Sequence, residues 1–155
     1  MYALSNMLFM NHTMETLQLG NNYVGDASIV LLADALKRNR GLKQLYLGYN
    51  CVSHVGLASL VDALLVNPNI THLDLSGNKF FSQRSMRLLQ KLIRYNTSLE
   101  EIGLENCFSP GQQAELLAQA VRNNITLKTI RTTTIRRREL ARELSEDARR
   151  AMQFY

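Results

Sequence analysis

The sequence predicts an α/β solenoid in which strand–helix units stack side by side, and three observations predict it. A short motif recurs at near-constant spacing, helical periodicity follows each copy, and asparagines hold fixed places in the unit. The stretch Asn67 to Asn78, NPNITHLDLSGN, shows the motif. Ile70, Leu73 and Leu75 are apolar and Asn78 follows, a pattern too short for a helix and too uneven for an ordinary alternating strand.

Laid on itself, the chain reads METLQLGNN from Met14, LKQLYLGYN from Leu42, ITHLDLSGN from Ile70, LEEIGLENC from Leu99 and LKTIRTTTI from Leu127, at offsets of 28, 28, 29 and 28 residues. Leu17, Leu45, Leu73 and Ile102 hold the same central place, so each copy predicts a short strand with one buried face. Downstream, Leu32, Ala35 and Leu36, then Leu60, Ala63 and Leu64, then Leu89, Leu92 and Ile93, then Leu117, Ala120 and Val121 stand at helical spacing. Ser53, Ser82 and Ser109 are placed to cap those helices, with Pro110 at a first helical position and Gln112 able to close a capping box. An asparagine precedes each strand, at Asn11, Asn39, Asn67, Asn96 and Asn124. It reads as a helix terminator, since Asn tolerates the left-handed conformation. A second series, Asn22, Asn50, Asn78 and then Cys107, predicts an internal ladder onto loop backbone that loosens at the weakly donating thiol.

Leu4, Met7, Leu8 and Asn11 match Leu32, Ala35, Leu36 and Asn39, so residues 1–13 predict a half repeat. Full repeats then start at 14, 42, 70 and 99, an array over residues 1–130. Residues 131–155 predict a degenerate last strand and a basic amphipathic helix, with Leu140, Leu144, Ala148 and Met152 spaced four apart among charges. That helix is placed to cap the last repeat. No cap is recognisable before the first strand, which predicts an open edge that invites self-association. Met7, Met10 and Met14 read as core filler at the amino end.

These residues resemble the leucine-rich repeat, LxxLxLxxN, in its long form of about 28 residues, the ribonuclease-inhibitor-like class. The resemblance covers Leu4 to Ile130. It implies a right-handed horseshoe arc with parallel strands on the concave face, helices on the convex face and a C-terminal capping helix. Members of that class include ribonuclease inhibitors, the sensor arrays of innate-immune receptors, the activating protein of the Ran GTPase and the actin-capping tropomodulins, and most bind proteins. The resemblance therefore implies a protein–protein interaction module that uses its concave strand face. Regulation of a small GTPase, as a GTPase-activating protein, and actin-filament capping are the alternatives.

The residues between the buried leucines, with those just beyond, form the candidate site. Tyr46, Tyr49, His72, Asp74, Glu101, Glu105 and Arg131 combine aromatics, acids and an arginine, a mixture suited to a partner-binding strip. In chain order Asp74, Glu101 and Glu105 make an acidic centre with Arg131 at the far end. The net charge is +5, and the segment Arg131–Tyr155 holds seven Arg against four acids. Its RRR run is offset by Glu139, Glu143 and Glu146 at helical reach of neighbouring arginines, and no RNA- or DNA-binding motif accompanies it, so nucleic acid is disfavoured as a partner. A basic chain would also approach a basic ribonuclease against repulsion.

At 155 residues, 46% hydrophobic and 20% charged, the chain has the composition of one folded unit. Its apolar runs fall short of the roughly 20 residues that span a bilayer, and its first residues lack a basic n-region and a cleavage site, so the expectation is a cytoplasmic protein without a transmembrane segment. Cys51 and Cys107 stand in no CxxC spacing, which implies neither a disulfide framework nor a zinc site. His12, His54 and His72 lie in separate contexts and no GxxxxGK loop occurs. No catalytic residue, metal or cofactor is expected. Of four N-x-S/T triplets, at Asn11, Asn69, Asn96 and Asn124, three coincide with the helix-ending asparagines and are read as structural.

Overall fold

The computed structural model describes residues 1–80, 82–108 and 124–132. Helix α1 (Tyr2–Met10) comes first. It is followed by β1 (Thr16–Gln18), α2 (Asp26–Leu36), β2 (Gln44–Tyr46), α3 (His54–Leu64), β3 (His72–Asp74), α4 (Gln83–Tyr95), β4 (Glu101–Gly103) and β5 (Thr129–Arg131). The strands form one parallel sheet in the order β1-β2-β3-β4-β5. Leu17, Leu45, Leu73, Ile102 and Ile130 are lateral partners in a single row across it. The sequence offset is therefore the lateral step of the sheet. The 29-residue step from β3 to β4 keeps the same register, with Leu73 opposite Ile102. β5 straddles the expected boundary at residue 130, because Arg131 still pairs with Gly103. The expected C-terminal helix and the caps at Ser109, Pro110 and Gln112 lie outside the described residues.

Each helix packs on the next, α1 on α2, α2 on α3 and α3 on α4. Their apolar stripes, such as Leu57, Leu60, Val61 and Leu64 of α3, join the strand leucines in one core. A unit this short cannot close a core alone. Stacked, each fully buried leucine contributes about 1.5–3 kcal/mol. Met10 departs from the expectation of core filler, since it is 76% exposed while Met7 and Met14 pack at the core margin.

Local chemistry sets the helix starts. Ser53 Oγ accepts from Val55 N at 3.2 Å and Ser82 Oγ accepts from Ser85 N at 3.1 Å, as the capping pattern predicts. Asp26, in the first turn of α2, serves the next repeat, accepting from Ser53 N, Ser53 Oγ and Gly56 N at 2.8, 2.6 and 3.0 Å. Burial raises this carboxyl's pKa, but the bonds from Ser53 and Gly56 outweigh it and hold the pKa below its ordinary value.

The asparagines upstream of the strands correct the sequence reading of why they are there. Asn11 and Asn96 end their helices in extended backbone, with φ −94° and −76°, not in the left-handed region. Their work is done by the side chain. Asn67 Nδ2 donates to Leu36 O and Asn39 O at 2.7 and 3.0 Å, and its Oδ1 accepts from Asn69 N and Ile70 N. Asn39 and Asn124 repeat both halves of the pattern, Asn96 bonds Leu64 O, Ser98 N and Leu99 N, and Asn11 caps Thr13 N and Met14 N. Each repeat is thus tied to the one before it.

The second series forms the downstream ladder. Asn50 Nδ2 donates to Leu19 O and Leu47 O at 2.8 and 3.0 Å, and Asn78 Nδ2 to Leu47 O and Leu75 O, both at 2.9 Å. At Cys107 a thiol takes that place and donates to Leu75 O at 3.2 Å, a weaker bond, as expected.

Candidate functional site

The strand-face positions form two rows. Thr16, Gln44, His72, Glu101 and Thr129 share one, and Gln18, Tyr46, Asp74, Gly103 and Arg131 the other. With the leucine row turned into the core, both rows face the opposite side of the sheet.

Arg131 crosses this face. Its Nε lies 3.0 Å from Glu101 Oε1, an ion contact without the alignment of a hydrogen bond, and its Nη2 lies 3.7 Å from Asp74 Oδ1 on the far side of β4. Gly103 permits that reach. A Cβ there would stand 2.3 Å from Asp74 Oδ1 and 2.8 Å from Arg131 Nη2, so any side chain would split the pair. His72 Nε2 approaches Glu101 Oε2 at 4.0 Å, extending the group along the other row. The side chains are between 19% and 33% exposed, so water still screens them. Ion pairs of this kind contribute about 0–1 kcal/mol each, and their main effect is to hold one another's positions.

The turn after each of β1 to β4 carries a residue at positive φ, namely Asn21 at 59°, Tyr49 at 54°, Gly77 at 70° and Asn106 at 55°. Asn and Gly suit that conformation, whereas for a tyrosine it costs roughly 1–2 kcal/mol. Tyr49 is nevertheless fixed there. Its ring lies over Gly77, where a Cβ would come within 2.5 Å of it, and its hydroxyl accepts from Asn106 Nδ2 at 3.1 Å. The side chain remains 52% exposed.

One position further back in each turn stand Gly20, Gly48, Ser76 and Glu105. The two glycines leave an open hollow of about 440 Å³, lined by Gln18, Gly20, Asn21, Tyr46, Gly48, Tyr49 and Asp74.

The structure thus brings His72, Asp74, Glu101 and Arg131 into one cross-strand group and places Tyr46, Tyr49 and Asp74 around the hollow. Arg131 stands on β5, beyond the strands that carry Asp74 and Glu101, and its side chain reaches back to both. Glu105 lies in the turn after β4, where its N–H donates to Ser76 Oγ at 3.2 Å, and the strand-face place next to Asp74 belongs to Gly103. Sequence reasoning misses Gly103, Gly48 and Gly77. The signal for Gly103 is a glycine inside a strand motif, a mark of close approach. Among the described residues no group of three His, Cys, Asp or Glu converges on a metal site, and no helix is long and apolar enough to cross a membrane.

The fold and face define a repeat solenoid with a polar strand surface. The architecture is that of a leucine-rich-repeat solenoid, and a family model described as Leucine Rich repeat matches residues 11–33 and 66–82. The Caenorhabditis elegans tropomodulin C-terminal domain superposes with a TM-score of 0.79 at 19% identity, covering 96% of this chain and 91% of that one. A structure of leiomodin-1 actin-binding site 2 superposes with a TM-score of 0.67 at 20% identity, over 79% of this chain and 70% of that one. At such identities the likeness is one of fold. No curated protein matches the sequence.

Proposed function

We propose that this protein is a non-catalytic, cytoplasmic binding module whose protein partner lies on the concave strand face. Tyr46, Tyr49, His72, Asp74, Glu101, Glu105 and Arg131 supply the contacts. The observation that carries this reading is the cross-strand group passing over Gly103. Side chains on three strands are already set in place there, and a partner meeting them loses little further freedom. The same reading takes residues 1–130 as the array and 131–155 as its carboxyl end. The 28-residue step, with a helix in each of the units that start at 14, 42 and 70, supports the ribonuclease-inhibitor-like class. The experiment is affinity capture with mass spectrometry, comparing the intact chain with a Tyr46→Ala/Asp74→Asn double variant of matched thermal stability. A species held by the first and lost from the second is the expected result, and equal capture by both rejects the concave face.

A cytoskeletal reading has an observation of its own, because one of the superposing structures is described as an actin-binding site. Pointed-end elongation of actin filaments measured with and without the protein tests it, and an unchanged elongation rate removes it.

A further inference from the structure

We infer that the hollow spanning the repeats that start at 14, 42 and 70 receives a basic side chain of the partner, arginine or lysine. Its cation would sit against Asp74 and its stem beside Tyr46 and Tyr49. The inference rests on the proposed function, whose binding face it makes chemically specific.

The two oxygens of Asp74 differ. Oδ1 accepts from Ser76 N and Ser76 Oγ at 3.0 and 2.6 Å and meets Arg131 at 3.7 Å. Oδ2 is turned the other way, toward Gly48, where a Cβ would come within 2.8 Å of it. Among the described residues Oδ2 accepts no hydrogen bond, and both Asp74 and Gly48 line the hollow. A carboxylate oxygen in that position favours a charged donor, since charge-assisted bonds are the stronger ones. The remaining lining agrees. It comprises Gln18 and Asn21, two glycines and two tyrosines, with Asp74 as its acid and no lysine or arginine. Tyrosine rings attract a cation held within about 6 Å of the centroid. Tyr49 is set in place by Gly77 beneath it and by Asn106 at its hydroxyl, so the ring does not have to be ordered on binding. An acidic or purely apolar group would meet the carboxylate without compensation.

The test titrates the full-length, isotope-labelled chain with N-acetyl-arginine methylamide and N-acetyl-lysine methylamide, following backbone amide resonances. N-acetyl-citrulline methylamide, a neutral near-isostere of the arginine probe, is the control. Both cationic probes are expected to shift Gly48, Tyr49 and Asp74 saturably, and their relative affinities decide between arginine and lysine. Asp74→Asn keeps an acceptor for Ser76 and should weaken arginine binding about tenfold. Tyr46→Leu, which keeps bulk and removes the ring, should weaken it severalfold. Citrulline binding as tightly as arginine overturns the inference, as do an unaffected Asp74→Asn variant or shifts spread over every carboxylate. The two readings separate in partner capture. Loss on Tyr46→Ala with no change on Asp74→Asn sinks the cation site and leaves the concave face standing, whereas capture unchanged by both sinks the face itself.

Discussion

The upstream and downstream margins of the sheet are built on different rules. Upstream, Asn11, Asn39, Asn67, Asn96 and Asn124 occupy one place in every repeat and make variants of one bonding pattern, which from Asn39 onward ties each unit to the one before it. Downstream, the equivalent places change from repeat to repeat. The ladder runs Asn22, Asn50, Asn78 and Cys107, the left-handed position Asn21, Tyr49, Gly77 and Asn106, and the position before it Gly20, Gly48, Ser76 and Glu105. The hollow, the strained tyrosine and Asp74's bonds to Ser76 all lie on or beside the variable margin. In a solenoid, uniform stacking needs one invariant seam, and the opposite seam is then free to carry recognition.

The largest expected effect is at the uniform margin. Asn67→Ala strands Leu36 O, Asn39 O and Ile70 N in a buried position and Asn69 N in a part-buried one, each buried group costing about 1–3 kcal/mol when unsatisfied, so urea unfolding should show a loss of at least about 3 kcal/mol. Asn22, the exposed outermost rung of the other ladder, bonds Gly20 O, and Asn22→Ala should cost under about 1 kcal/mol. Equal losses at the two sites would erase the contrast between the margins. Gly103→Ala should follow, destabilising by about 1–3 kcal/mol as its methyl group enters the Asp74–Arg131 contact. A crystal structure of that variant with the contact intact would refute the account of the cross-strand reach.

Cys107 tests the weak rung. Replacing it with Ala should cost about 1–2 kcal/mol, less than Asn78→Ala, because a poorer donor is removed. Burial pushes its thiol from 9.0 up to about 12, so stability from this group is complete below pH 9.0 and declines as the pH rises toward 12. In the native chain a thiol reagent at pH 8 should label the exposed Cys51 and spare Cys107. Tyr49→Asn should change stability by less than about 1 kcal/mol, since relief of the left-handed strain offsets lost contact over Gly77, while partner capture falls. The smallest effect concerns Asp26. Its folded pKa lies below 3.8, so its contribution is present above pH 3.8 and is lost as the pH falls through the lower folded value. Asp26→Asn should flatten that acid limb in thermal melts.

Much of this was legible beforehand, for reasons specific to each element. Leu45, Leu73 and Ile102 could be predicted as one layer because a constant offset can be satisfied only by stacking. Tyr46, His72, Asp74, Glu101 and Arg131 could be assigned to the exposed face because alternation along a strand is a local property. The function of the upstream asparagines was misread, because capping by backbone conformation and capping by side chain leave the same mark in the sequence. Arg131 gave no sign of reaching Asp74, and nothing local showed that Tyr49 would adopt a glycine's conformation.

The sequence by itself determined the period, the strand–helix alternation, the buried rows, both asparagine series and the roster of surface residues, since all of these follow from backbone geometry repeating along the chain. Only the tertiary structure decided which surface residues meet. The Tyr49–Asn106 bond joins residues 57 apart, and the Arg131–Asp74 contact likewise skips a whole repeat. Such contacts arise from the lateral spacing of stacked strands and from the glycines that leave room between them, and no periodicity along the chain encodes that spacing.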